Sequence, residues 1–371
     1  MQRAIYMDWN ATAPVHPAAR AAMLAALEDC GNPSSVHGFG RRARKRVEEA
    51  RSALAALLGA KVENIVFTAG GTEANALMLA NRGERRLIVS AIEHDSILKP
   101  ALAAGATTID VDRNGVVELD HLKALLAEGR PALVSVMLAN NETGVIQPVA
   151  EAAEIAHAHG ALLHVDAAQA VGRVPVALDA LGADFLTVSG HKFGAPQGVG
   201  ALIAAKAAPQ IAPLLQGGGQ ERNRRAGTEN VAAIAGFGAA VAALEPAEAG
   251  QISSLRDALE QRLTAADPSI IVFGGATRRL PNTLCFASGE KSAETLVMAL
   301  DLAGIAISAG SACSSGKVKP SHVVTAMGFD RDVASRAIRV SLGRDNTAGD
   351  IEAFCSAWQR IHAPRQMTAA A

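Results

Sequence analysis

The sequence predicts an α/β protein: a large domain around a mostly parallel seven-stranded sheet, plus a smaller α+β domain. Three observations carry this. Between Asn64 and Ile203 seven short β-rich runs alternate with helical ones, the pattern of a parallel sheet covered on both faces. The alternation lapses around Gly217–Gly219 and resumes as a second α+β stretch. At about 150 residues per domain, the 371 residues make two units, each able to bury a core without disulfide or metal staples.

In chain order, helical periodicity covers Pro17–Leu27 and Arg41–Leu58. The second carries Arg41, Arg42, Arg44, Lys45 and Arg46 before Glu48 and Glu49, which reads as a solvated helix face with i,i+4 pairs. The seven strands fall at Ile65–Thr68, Leu87–Ser90, Thr107–Val111, Leu133–Leu138, Leu162–Val165, Phe185–Val188 and Val199–Ile203. Helices lie between several of them, at Glu73–Ala80, Ser96–Ala104, Leu119–Ala127 and Val149–His159. Beyond the glycines come helices Val231–Leu244 and Ser254–Ala265, with a boundary near Pro246. The second unit has strands Ile270–Phe273, Thr283–Phe286 and Ile338–Ser341 and helices Ala293–Ala303 and Asp350–His362.

Composition excludes several classes. The 35 basic and 36 acidic residues leave a net charge of -1, which argues against a nucleic-acid or membrane-surface partner. Hydrophobic residues make up 49% but aromatics only 3%, so alanine supplies much of the apolar count. No run reaches the ~18 residues of a membrane span, and Met1–Asn10 has no apolar stretch suited to a signal peptide. Cys30, Cys285, Cys313 and Cys355 are far apart and form neither a zinc motif nor a disulfide framework. The expectation is a soluble, reduced, cytoplasmic protein.

Two nucleotide signatures fail: no strand leads into G-x-G-x-x-G, and Gly310–Lys317 departs from a phosphate loop at its first glycine and at Val318. Thr68–Asn75, Thr-Ala-Gly-Gly-Thr-Glu-Ala-Asn, follows a strand and opens a helix. Free N–H groups at such a helix start, with the Thr72 hydroxyl, suit a phosphate, although the same residues serve as an ordinary cap. Two later strands end in His164-Val-Asp-Ala-Ala-Gln169 and Ser189-Gly-His-Lys192. Pyridoxal phosphate needs a lysine for its Schiff base and a carboxylate against its pyridine nitrogen. Lys192 and Asp166 on neighbouring strands supply both, and the cofactor reading follows from that pair plus the upstream cradle. Cys313 sits among small residues in Ile307–Gly316 without apolar periodicity, with Lys317 and Lys319 nearby. That pattern suits an exposed, reactive thiol better than a packed one.

Taken together these residues resemble the cysteine desulfurases, pyridoxal-phosphate enzymes of the class V aminotransferase-like group. The resemblance runs nearly end to end: Tyr6–Pro14, Asn32–His37, Thr68–Asn75, Glu93-His94, Asn140–Gly144, Asp166–Gln169, Ser189–Lys192, Arg225–Asn230, Ser311–Cys313 and Ile338–Arg344. It implies fold type I, with residues 13–250 as the cofactor-binding domain and 1–12 with 251–371 as the small domain carrying the Cys313 loop. It further implies that Lys192 carries the cofactor and moves the substrate Cα proton, Asp166 pairs with the pyridine nitrogen, and Gln169 bonds the ring hydroxyl. His94 would stack on the ring and Asn141 would seat cofactor and substrate. Gly71, Thr72, Ser189 and His191 would hold the phosphate, joined by Thr228 from the other subunit of a homodimer. Arg339 would clamp the substrate carboxylate bidentately.

The activity implied is conversion of L-cysteine to L-alanine, with sulfur left on Cys313 as a persulfide. The long-loop branch that Cys313 resembles passes sulfur to scaffold proteins of iron–sulfur cluster assembly. No resident metal is implied, beyond transient ligation by Cys313 of a cluster shared with a scaffold. Gln197 stands where relatives commonly have lysine, and Ala226 replaces a common serine near Thr228. A selenocysteine lyase, a related aminotransferase and a non-catalytic sulfur-relay protein are the alternatives; only the last would dispense with Lys192.

Overall fold

The computed structural model describes residues 4–245, 247–289, 291–310 and 319–363. Its strands are β1 (Ile5–Tyr6), β2 (Ile65–Thr68), β3 (Arg86–Ser90), β4 (Thr107–Ile109), β5 (Ala132–Ser135), β6 (Leu162–Asp166), β7 (Phe185–Ser189) and β8 (Gly200–Ala204). They continue as β9 (Ile271–Val272), β10 (Thr283–Ala287), β11 (Ile305–Ala306), β12 (Ser308–Ala309) and β13 (Ile338–Ser341). The large sheet has seven strands in the order β2-β8-β7-β6-β5-β3-β4. It is parallel except for β8, which runs against both β7 and β2.

Each inner strand feeds two cores in alternation. Ile88 of β3 and Val134 of β5 pack into one apolar cluster, while their neighbours Leu87, Val89 and Leu133 pack into another. That is the period-2 consequence of a sheet buried on both faces. A third cluster joins Met7 near the N-terminus to Leu259, Phe286, Val340, Phe354 and Trp358, around the antiparallel sheet β12-β13-β10-β9. β1 reaches that region by pairing in parallel with β11.

The seven strands of the large sheet stand where the sequence placed them, with shifted ends. The run expected to reach Leu138 leaves regular strand after Ser135. There the buried Glu93 carboxylate takes the Met137 N–H at 2.6 Å, although Val136 and Leu138 still donate to His164 O and Asp166 O. The helix expected from Ser254 begins at Glu248, and the two-residue strands β1, β11 and β12 gave no alternation to read. Pro246 lies outside the described residues.

Helices Pro17–Glu28 and Gly38–Leu58 pack on helix Val231–Ala242. Contact is close enough that a Cβ at Gly238 would stand 2.6 Å from Ala50 Cα. The basic run behaves as a surface: Lys45 pairs with Glu49 at 3.7 Å and Arg46 with Asp29 at 2.6 Å. Arg51, on the same helix, is different. It is buried and meets Glu221 through two 2.8 Å hydrogen bonds, while Glu221 also accepts from Phe67 N at 2.9 Å. Glu221, Arg222 and Asn223 all hold positive φ (47°, 58° and 63°), a costly run for non-glycine residues. The ion pair fastens this turn to helix Gly38–Leu58, and the Phe67 N–H fastens it to β2. Removing one partner strands a buried charge, so Glu221→Gln should cost roughly 3 kcal/mol. A lowered thermal midpoint would show it; an unchanged one would mean the pair holds nothing.

Candidate active site

The parallel order puts the carboxyl ends of β2, β7, β6, β5 and β3 along one edge, where ligands of such sheets bind. β2 leaves the sheet through Ala69-Gly70 into helix Gly71–Ala80. Gly70 has φ 155°, and its backbone passes so close to β8 that Gly200 has no room for a side chain: a Cβ there would lie 2.6 Å from Gly70 C. No side chain caps this helix. Its start abuts β7, since a Cβ at Gly71 would be 3.1 Å from Ser189 Cβ. The turn is braced from outside by Glu73, which accepts from Ala69 N at 2.8 Å and pairs with Arg225 at 2.9 Å. An uncapped helix start with a serine hydroxyl against it is a site for a phosphate.

Gly71, Thr72, His94, Asn141, Asp166, Gln169, Ser189, His191, Lys192 and Arg339 all line one cavity of about 1110 Å³. Two expected members are not among them. Thr228 is exposed and lines no part of the cavity. Cys313 lies outside the described residues, as does Lys317; Gly310 and Lys319, which bracket that segment, do line the cavity.

Lys192 donates from Nζ to Asn10 O at 2.7 Å and Ala11 O at 2.9 Å. Burial, together with the charges of Arg339 and Arg173, pulls its amine down to about 7, against the smaller opposing pull of Asp8 and Asp166. A lysine so placed presents a free amine near neutral pH. Asp166 closes β6 and is buried, with Oδ1 accepting from Ala168 N and Oδ2 from Asn75 Nδ2, both at 2.9 Å. His191 bonds Thr12 Oγ1 through Nδ1 at 3.2 Å, and burial lowers its ring to about 4, so it meets a ligand uncharged. These residues fit pyridoxal phosphate: a nucleophilic amine, an inward-facing carboxylate and an uncapped helix start share one cavity.

Arg339 donates to Asp8 Oδ1 at 2.7 Å and to Asn141 O at 2.8 Å. Its Nε is buried without a partner. A guanidinium has five N–H groups, so Nε and two terminal N–H groups remain, enough for a carboxylate fork.

Several supporting residues had no reading in the sequence. Arg173 is half-buried, lowered to about 9 by desolvation and by Arg339, and bonds Gln169 Oε1, Gln169 O and Lys192 O. Its one legible cue was the i,i+4 spacing from Gln169. Asn10 gathers Lys192 and Gln169 on its carbonyl and holds Asn141 O and Thr283 with its amide. Glu142 is buried, raised to about 7 by burial, and accepts from Ser321 Oγ at 2.5 Å; a Cβ at Gly310 would stand 2.9 Å from its Oε2. His164, which opens the β6 motif, is structural: it bonds Ser135 and Thr187 and does not line the cavity. Among the described residues no group of side chains is placed to hold a metal ion, and no helix is long and apolar enough to cross a membrane.

The profile of the Aminotransferase class-V family matches residues 5–354. A cysteine desulfurase IscS of Dictyoglomus turgidum is 41% identical, covering 97% of this chain and 95% of its own. A cysteine desulfurase of Cereibacter sphaeroides is 44% identical over 94% of this chain and 93% of its own. Among solved structures, a NifS-like protein from Rickettsia africae superposes with a TM-score of 0.90 at 38% identity, covering 97% of this chain and 99% of that one.

Proposed function

The chain belongs to the Aminotransferase class-V family, and from that premise we propose a pyridoxal-phosphate-dependent cysteine desulfurase that converts L-cysteine to L-alanine and passes the sulfur to Cys313 as a persulfide. The observation that carries this reading is the buried Lys192 amine, sharing one cavity with Asp166, an uncapped helix start and the unpaired Arg339 Nε.

When bound, the cofactor supplies an electron sink for the pair released as the substrate Cα–H bond breaks. The residues of this chain do the rest. Gly71, Thr72, Ser189 and His191 would receive the phosphate, Asp166 would pair with the pyridine nitrogen, Gln169 would bond the ring hydroxyl and His94 would stack on the ring. Lys192 is the nucleophile toward the cofactor and afterwards the base that moves the Cα proton. Arg339, anchored by Asp8, forks onto the substrate carboxylate beside Asn141. The Cys313 thiolate would then attack the substrate sulfur: the Cβ–S bond breaks, its electron pair stays with the substrate carbon, and protonation there gives the methyl group of alanine.

The remaining assignments are part of the same reading. The protein acts in the cytoplasm as a homodimer, with Thr228 completing the phosphate site of a second copy; its exposure in one chain is what supports this. Residues 13–250 form the cofactor domain and 1–12 with 251–371 the small domain, in keeping with the separate apolar cluster that unites Met7 with residues beyond 250. The sulfur goes to a scaffold protein of iron–sulfur cluster assembly or to another acceptor. The test is product stoichiometry: the cofactor-loaded protein given L-cysteine and a reductant should release alanine and sulfide in equal yield. Pyruvate and ammonia in place of alanine would overturn the assignment.

A further inference from the structure

Helix Gly71–Ala80 enters the cavity twice. Its first residues form the phosphate cradle, and one turn later, on the same face, Asn75 points at Asp166. Asn75 is 1% exposed. Its Nδ2 donates to Asp166 Oδ2 and to Ser96 Oγ, each at 2.9 Å. An amide nitrogen has two hydrogens, and both are used. Ser96 Oγ lies 2.8 Å from His94 Nδ1, which also accepts from Ser96 N at 3.1 Å. The backbone donor fixes Nδ1 as an acceptor, so the Ser96 hydroxyl hydrogen points to it and the neutral ring carries its own hydrogen on Nε2.

We propose that Asn75 is a positioning residue of the cofactor site: from one amide nitrogen it sets the Asp166 carboxylate and, through Ser96, the ring of His94. The proposal rests on the cofactor reading above. With Ala168 N on Oδ1 and Asn75 on Oδ2, the Asp166 carboxylate cannot rotate about its terminal bond without losing both donors. Asn75 Oδ1 is buried with no partner. Turning the amide over would aim that oxygen at a carboxylate oxygen, so the two acceptors choose the orientation and the unpaired carbonyl is its cost. Because cradle and clamp sit on one helix about four residues apart, their separation along its axis is fixed at about 6 Å. The helix acts as a rigid ruler between the phosphate and the ring-nitrogen partner, and Ser96 carries the same constraint to the ring face.

The test measures two properties of the protein loaded with pyridoxal 5'-phosphate: its dissociation constant for the cofactor and the visible circular dichroism of the bound cofactor. Asn75→Ala should weaken retention about tenfold or more, as expected for losing a hydrogen bond to a buried charge, and should alter the dichroic band. Ser96→Ala removes the His94 branch and one of the two acceptors of the Asn75 amide; it should change the band while weakening retention less than Asn75→Ala does, and Ser96→Thr should restore the band. Wild-type retention and dichroism in Asn75→Ala would overturn the proposal. Should that variant fail to fold, an unaltered band in Ser96→Ala would overturn it instead. A wild-type protein that binds no pyridoxal phosphate would sink the cofactor reading itself, a separate failure.

Discussion

Lys192→Ala abolishes turnover of L-cysteine, by a factor on the order of 10³ or more for a residue acting as both nucleophile and base. The cavity survives, because its other walls come from different elements, and the variant should still take pyridoxal phosphate without a covalent bond. Borohydride reduction would fix cofactor to the wild-type chain and not to the variant. A companion result follows from the amine's position near 7. Only the free amine condenses with an aldehyde, so loading of cofactor-free protein should quicken as pH rises through about 7. It should level off about one unit above, where free amine outnumbers ammonium about ten to one. The sign is set by burial and by Arg339 and Arg173, which disfavour the charged form. An unperturbed lysine would show loading still rising toward pH 10, and a variant turning over cysteine at the wild-type rate would mean that another amine does the work.

The two residues that defined the cofactor reading were legible because each lies at or just past the end of a strand. Largely apolar runs mark β6 and β7, and Asp166 at the end of one and Lys192 three residues past the end of the other fall at the sheet edge where the alternation said a ligand would lie. Gly70-Gly71 was legible for a similar reason: its position between a strand and a helix has few other uses. Asn75 stood in the same motif, yet its role depends on Ser96 and Asp166 arriving from other elements. Asn10, Arg173 and Glu142 were illegible for that reason too. Many of their partners lie far along the chain, 331 positions for Asn10 with Ser341 and 179 for Glu142 with Ser321, and several of the bonds run to or from backbone carbonyls whose positions no side-chain pattern encodes. The same holds for β1 and β11, two residues each: too short for a period, they are specified by the sheet and core around them. What sequence patterning conveys is which elements bury which faces; the supporting hydrogen bonds appear only once those elements meet.

Cys313→Ala is the substitution that separates sulfur transfer from simple elimination. The segment bearing Cys313 is bracketed by Gly310 and Lys319, both on the cavity wall. Cys313 is three residues along the chain from Gly310. None of the described cofactor contacts involves that segment, so the variant should load pyridoxal phosphate with the wild-type absorption spectrum. Sulfide release from L-cysteine should fall at least about 100-fold, a barrier increase of ~2.7 kcal/mol, and no persulfide should be trapped by alkylation. Intact cofactor with lost sulfur release isolates the thiol as the acceptor, since misfolding would remove both. Wild-type sulfide release from the variant would instead mean that sulfur leaves the substrate directly, with Lys192 and Asp166 keeping their roles and Cys313 taking no part. A selenocysteine-preferring lyase would give that second result. The substitution therefore decides between two chemistries that the same cavity could host.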